Sequence, residues 1–264
     1  QIRQLIKRAS AKGLDFVAAP LSHNLIEILV KAGCSAFTIN ASDLTNPAII
    51  DKVGLSGKPI FLGLLFADAN EIQWALSRLK SHGAENIVLL HGQHTMASSG
   101  KGVAPDKTSL GYIQFLEILH KIPVGFIDHT SSIWMPACAA ASGALVVTKH
   151  LIKSRKGNGY DLCICLEPEE MKEAISRSRM IYKSRKDKSS YLLEEEMPDK
   201  KLHRRSIVAS RTLKAGVKLK YSDFSFKRPG TGLEPWKYQE MIGKVIKRDI
   251  KYDEQINFSD LLNA

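Results

Sequence analysis

The sequence predicts an α/β protein built as a TIM-type (β/α)8 barrel and followed by a small β-rich domain. Three observations lead there. From the start to about residue 183, short apolar runs alternate with longer amphipathic segments, the pattern of repeated βα units. The short runs are nearly continuous in their hydrophobicity, as strands covered on both faces are. None of the strand-to-helix junctions carries the G-x-G-x-x-G turn of an open dinucleotide-binding sheet, so a barrel is preferred to a doubly wound sheet.

The chain opens directly on a helix, QIRQLIKRASAKG. With six units visible, two βα units are expected to be missing from the N-terminal end. The predicted strands are DFVAAP (15–20), AFTIN (36–40), PIFLGL (59–64), ENIVLLH (85–91), PVGFIDH (123–129) and ALVVTKH (144–150). Between them HNLIEILVKAG (23–33) and ANEIQWALSRLKSHG (69–83) read as helices, each closing on a C-cap glycine. Residues 1–183 are therefore assigned to the barrel. Residues 184–203, SRKDKSSYLLEEEMPDKKLH, mix charge blocks with a proline and show little periodicity, which reads as a linker. Beyond it RRSIVASRTLKAGVKL alternates like a half-buried strand and turns at Ala215-Gly216. It leads through YSDFSFKRPGTG and WKYQEMIGKVIKRDI to INFSDLL. Residues 204–264 form a domain of about 60 residues, a size at which a lone fold is marginal. It is expected to lean on the barrel or on a partner chain.

With 264 residues and 44% hydrophobic content, the chain has ample material for a packed core. The net charge of +11 suggests an anionic partner: nucleic acid, a membrane surface or a phosphorylated small molecule. Aromatics are only 7%, and no basic run is interleaved with Phe or Tyr as a single-strand binding platform requires, which disfavours nucleic acid. No apolar run reaches the length of a membrane span and no charged leader precedes an apolar signal core. A cytoplasmic protein without membrane partners is expected. Cys34, Cys138, Cys163 and Cys165 sit in or beside apolar stretches, where free thiols are the default. Cys163-x-Cys165 would set both thiols on one face of a strand, a weak zinc signal without a second pair.

In a barrel, residues at the C-terminal strand ends gather in one mouth. Three successive predicted strands finish on histidine: His91, His129 and His150. Two imidazoles on neighbouring strand ends are able to bind one divalent cation and leave positions open for substrate oxygens. The plainer reading of each, alone, is a hydrogen-bonded histidine at a strand end.

GFIDHT (125–130), VVTKHL (146–151), GYDLCICLEPEEMKEAI (159–175) and KRPGTG (227–232) occur in an order that resembles the sialic acid synthase family, which uses phosphoenolpyruvate and carries a C-terminal antifreeze-like (SAF) domain. The resemblance covers nearly the whole chain. It implies condensation of phosphoenolpyruvate with an N-acetylmannosamine-type sugar, with release of phosphate. It also implies a divalent metal, Mn²⁺ or Mg²⁺, on His129 and His150, with His129 and Asp128 as catalytic groups. Asp161 matches the acidic residue after the final strand that helps to bind the sugar, and His91 and Asn40 are taken as further substrate contacts. Arg228 resembles an arginine that the small domain of one subunit inserts into the other subunit's barrel, so a domain-swapped homodimer is implied.

The chain departs from the family at the phosphate. Thr38 and Ala41 stand where the family has a lysine and a serine, Gly63 and Leu64 replace a Ser-Thr pair, Ile127 replaces a serine, and Thr148 a glutamate. A trianion needs several cations or N–H donors. HGQHTMASSGKGVAPDK (91–107), with His94, Ser98, Ser99 and Lys101, is a candidate replacement. It is not a Walker A loop, because Gly102 follows the lysine, and a surface loop is the plainer reading. Lys149 alternates with His150 and is expected to turn away from the mouth. The departures leave a second reading open, a silent relative acting as a sugar-binding or scaffold subunit.

Overall fold

The computed structural model describes residues 1–95, 101–157, 159–185 and 192–262. The chain divides into two compact units, residues 1–186 and 187–264. In the first, the elements are α1 (Ile2–Ser10), β1 (Val17–Ala18), α2 (His23–Ala32), β2 (Ala36–Ile39), α3 (Pro47–Gly54), β3 (Ile60–Gly63), α4 (Ala69–Ser81), β4 (Ile87–Gly92), α5 (Tyr112–His120), β5 (Val124–Asp128), α6 (Met135–Ala141), β6 (Val147–Lys149) and α7 (Pro168–Ser184). All six predicted strands are present. They pair in parallel, and their order in space is their order in the chain. A doubly wound sheet reverses that order at a switch point, whereas this sheet never does and curls as an arc of a barrel.

The helices start and stop where side-chain chemistry tells them to. Ser22 Oγ accepts from the Asn24 N–H at the head of α2, and Gly33 closes it at φ 92°, a left-handed conformation that glycine adopts without steric penalty. Asp68 and Glu71 form a reciprocal capping box on α4, satisfying two otherwise orphan N–H groups. His82 is the last half-helical residue of α4, and Gly83, one residue on, takes the positive φ of 84°.

One face of the sheet, carrying Phe37, Leu62, Leu89, Val124 and Phe126, forms a single apolar cluster with Ile26, Ile50, Leu79 and Ile113 of the helices. Leu90, on the opposite face, is fully buried outside that cluster. Successive strand residues point to opposite faces, and this alternation later decides which polar groups meet.

In the second unit, α8 (Met197–His203) precedes β7 (Ser206–Ala209), β8 (Phe224–Lys227) and α9 (Tyr238–Met241). In the latter half of the stretch expected to be a linker, Glu194–Glu196 form a 3-10 turn that runs into α8. Acidic residues at the head of this helix and Lys200, Lys201 and His203 in its last turn complement the helix dipole, and Pro198 is tolerated in a first turn. Strand β7 is buried at every position, not alternating as its sequence predicts. It pairs antiparallel with β8 and exchanges further backbone bonds with Leu233, Glu254 and Ile256, so its backbone is engaged beyond the β8 edge. Ile207, Leu213, Leu219, Met241, Ile246 and Ile250 centre a second core.

None of the four cysteines is disulfide-bonded. Cys163 lies exposed in a 3-10 turn, Leu162–Ile164, while Cys165 is buried just after it. The expected strand with both thiols on one face is not formed there. Among the described residues no helix is long and apolar enough to cross a membrane.

Candidate active site

Alternation along β4, β5 and β6 sorts the polar strand ends into two groups. His129 and His150 follow β5 and β6 on the face away from the helices, with ring centroids 5.3 Å apart and planes inclined at 48°. His94, two residues beyond β4, joins them, its centroid 4.7 Å from that of His129 and its plane nearly perpendicular at 86°.

His91 is not part of this cluster. It stands on the Phe126 side of the sheet, its ring 5.2 Å from Tyr112 of α5 and 6.1 Å from Phe126. Its Nε2 lies 3.0 Å from the Ser109 carbonyl oxygen and 3.2 Å from Gln93 Nε2. Burial lowers its pKa. The expectation that three strand-end histidines share one mouth is thus corrected by parity: His91 goes to the helix layer, and His94 occupies the mouth instead.

Two features prepare His129. Its Nδ1 lies 3.2 Å from the Gln93 carbonyl oxygen. A carbonyl only accepts, so Nδ1 carries the proton and Nε2 keeps its lone pair. Burial, reinforced by the neighbouring His94 and His150 imidazoles, pulls its pKa down to about 4. The ring is neutral at neutral pH.

Two imidazole nitrogens each ~2.1 Å from one ion would set their ring centroids about 5 Å apart, for an octahedral or a tetrahedral angle between them. The His129–His150 spacing of 5.3 Å fits that requirement. Among the described residues no three His, Cys, Asp or Glu side chains form a ready-made metal cluster. An ion held by this pair would take its remaining ligands from water or substrate oxygens.

Beneath the imidazoles lies a buried ion pair. Lys149 Nζ is 2.9 Å from Asp128 Oδ2, their side chains 3% and 0% exposed. Charge and proximity hold the contact. Lys149 also donates to the Thr130 carbonyl, and Asp128 Oδ1 accepts from the Thr130 N–H at 2.8 Å. Burial lowers the Lys149 pKa while Asp128 opposes that shift. Lys149 turns away from the imidazoles, as its alternation with His150 predicts, and Asp128 is engaged with it on the same side.

The other candidates are placed as follows. Asn40 follows β2, half-buried, its carbonyl accepting from the Asp43 N–H. Asp161 sits at the head of the 3-10 turn after β6 with φ 61°, a conformation aspartate tolerates better than most residues. In the loop after β4, Ser98 and Ser99 lie outside the described residues. Val103 is buried and donates its N–H to the His129 carbonyl at 2.9 Å, so this part of the segment is packed against the site. Arg228, in the second unit, is exposed, its Nε donating to the His203 carbonyl at 3.1 Å. The loop that carries it is fastened by the buried Ser206, whose Oγ donates to the Pro229 carbonyl at 2.6 Å and accepts from the Gly232 N–H at 2.8 Å.

Sequence reasoning placed His94 in an anion-receiving loop, apart from His129, and missed Gln93 and Phe66. His94 shares the parity of Gly92, which pairs with Ile127, and so falls on the His129 side of the sheet once the register of β4 is known. Phe66, in the turn after β3, has φ 64° and a ring edge-to-face with His94 at 5.7 Å. Nothing in the sequence signals that backbone conformation.

A parallel barrel arc, with polar side chains of successive strands gathered at its C-terminal end and a small β domain following, defines a protein of the (β/α)-barrel class. The NeuB family model matches residues 1–190 and the SAF domain model residues 204–262. This chain belongs to the NeuB family and carries a SAF domain. It is 33% identical over 259 residues to an uncharacterised protein of Methanocaldococcus jannaschii, covering 98% of this chain and 75% of that one. It is 30% identical to the N,N'-diacetyllegionaminic acid synthase of Campylobacter jejuni, covering 96% and 75%. In three dimensions it is similar to the N-acetylneuraminic acid synthetase of Leptospira borgpetersenii, with a TM-score of 0.66 and 26% identity over 75% of this chain and 67% of that one.

Proposed function

We propose that this protein condenses phosphoenolpyruvate with an N-acetylated amino sugar of the N-acetylmannosamine type, forming a nonulosonic acid and releasing phosphate. The observation that carries this reading is the His129–His150 pair, spaced 5.3 Å, with the His129 tautomer set by the Gln93 carbonyl. A divalent ion held by these two residues supplies Lewis-acid polarisation of a sugar aldehyde. The chain's own groups do the rest. His129 stays neutral and keeps Nε2 available because burial lowers its pKa. The Asp128–Lys149 pair fixes the strand ends that carry both rings. Asp161 binds the sugar, and Arg228 of the partner subunit closes the mouth in a domain-swapped homodimer.

The test is phosphate release from phosphoenolpyruvate by the full chain with Mn²⁺ and N-acetylmannosamine, beside a His129→Ala, His150→Ala double variant. Phosphate above that control supports the reading, and its absence removes it.

One observation favours the second reading, a sugar-binding or scaffold subunit without turnover. A Cβ at Gly63, where the family has serine, would lie 3.0 Å from the Ile39 carbonyl oxygen and 3.2 Å from the Ala41 N. A serine there would need the backbone of Ile39 and Ala41 to give by a few tenths of an ångström, and the ion-paired Lys149 does not replace it. Sugar binding without phosphate release would select this reading.

A further inference from the structure

Phe66 occupies the third position of the turn Leu64–Ala67, which is closed by the Ala67 N–H donating to the Leu64 carbonyl at 3.2 Å. Its φ of 64° is one that glycine or asparagine adopts readily and a bulky aromatic rarely does. Burial does not explain the choice, because the side chain is 76% exposed. A strained residue persists where the surroundings or the function require it. The surroundings here are the imidazole cluster, since Phe66 meets His94 at 5.7 Å and His94 meets His129 at 4.7 Å. The turn therefore holds a solvent-facing phenyl ring two ring contacts from the residue placed at the metal.

We infer that Phe66 is a specificity-determining residue, an apolar wall that receives an acetamido methyl group of the sugar. This rests on the proposed sugar substrate. An open-chain hexose whose carbonyl lies at the His129–His150 pair has its substituents strung outward along the mouth, and a phenyl surface selects the apolar ones among them. Hydroxyl-bearing positions gain little from such a wall, whereas an acetyl methyl leaves water on contact with it.

The inference is tested with the Phe66→Gly variant of the full chain, because glycine suits the backbone conformation and removes only the ring. Calorimetric titration uses N-acetylmannosamine and mannose, with Mn²⁺ present, and thermal unfolding is followed on the same samples. The expected result is a three- to tenfold weaker N-acetylmannosamine affinity, unchanged mannose affinity, and a Tm that is equal or higher. Equal N-acetylmannosamine affinity in both proteins, equal losses for both sugars, a lowered Tm or no binding of N-acetylmannosamine to the unaltered chain would each overturn it. Phe66-dependent binding without phosphate release would uphold the inference while removing the synthase reading.

Discussion

Lys149 and Asp128 face each other across β5 and β6, Nζ to Oδ2 at 2.9 Å, with almost no solvent access to either side chain. Taking one charge away leaves the other stranded, and breaking such a pair costs about 3–5 kcal/mol. Lys149→Met and Asp128→Asn should each lower the urea-unfolding free energy by an amount in that range. The double variant should lose clearly less than the two single losses added together. Additive losses would show that the pair is not coupled in solution.

A second expectation concerns acid. The His129 pKa is about 4 in the folded chain, against an ordinary value of about 6.5. Between those values the unfolded chain binds the proton and the folded chain does not, so unfolding is favoured as pH falls. The stabilisation tied to neutral His129 is intact above pH about 6.5 and is lost progressively as pH drops through 4. Urea midpoints of metal-free protein, measured across this window, should fall more steeply for the unaltered chain than for His129→Asn. Parallel profiles would place His129 in water.

Ser206 links the first residue of β7 to the Arg228 loop by two hydrogen bonds. Ser206→Ala leaves the Pro229 carbonyl and the Gly232 N–H without that partner, a loss of about 1–3 kcal/mol. Thermal unfolding should show it as a lower Tm. If Arg228 acts on the sugar, KM for the sugar should rise in the same variant while KM for phosphoenolpyruvate holds. An unchanged Tm would mean that water replaces the serine.

The barrel arc was legible because parallel strands buried on both faces have a distinctive apolar signature, and all six runs from DFVAAP to ALVVTKH became strands. The pairing of His129 with His150 was legible for a related reason, since both follow their strands at the same parity in registered neighbours. The exchange of His91 for His94 required the register of β4 as well, and a run ending in His-Gly does not reveal where its strand stops. Helix α8 hid behind its proline and charge blocks, although the acidic-then-basic order of Glu194 to Lys201 matches a helix dipole. The positive φ of Phe66 had no sequence signal at all.

The swapped dimer can be tested without a structure of the dimer. In that arrangement each mouth takes His129 and His150 from one chain and Arg228 from the other, so two defective chains are able to complement. A mixed dimer of His129→Ala with Arg228→Ala has one mouth with both lesions and one with neither. Random exchange of equal amounts makes about half the dimers mixed, and activity should recover to about one quarter of the unaltered value. If Arg228 serves its own chain, every mouth keeps a lesion and mixing restores nothing. Co-refolding the two variants from urea and measuring phosphate release separates the outcomes. Refolded unaltered protein sets the scale, and each variant refolded alone sets the floor.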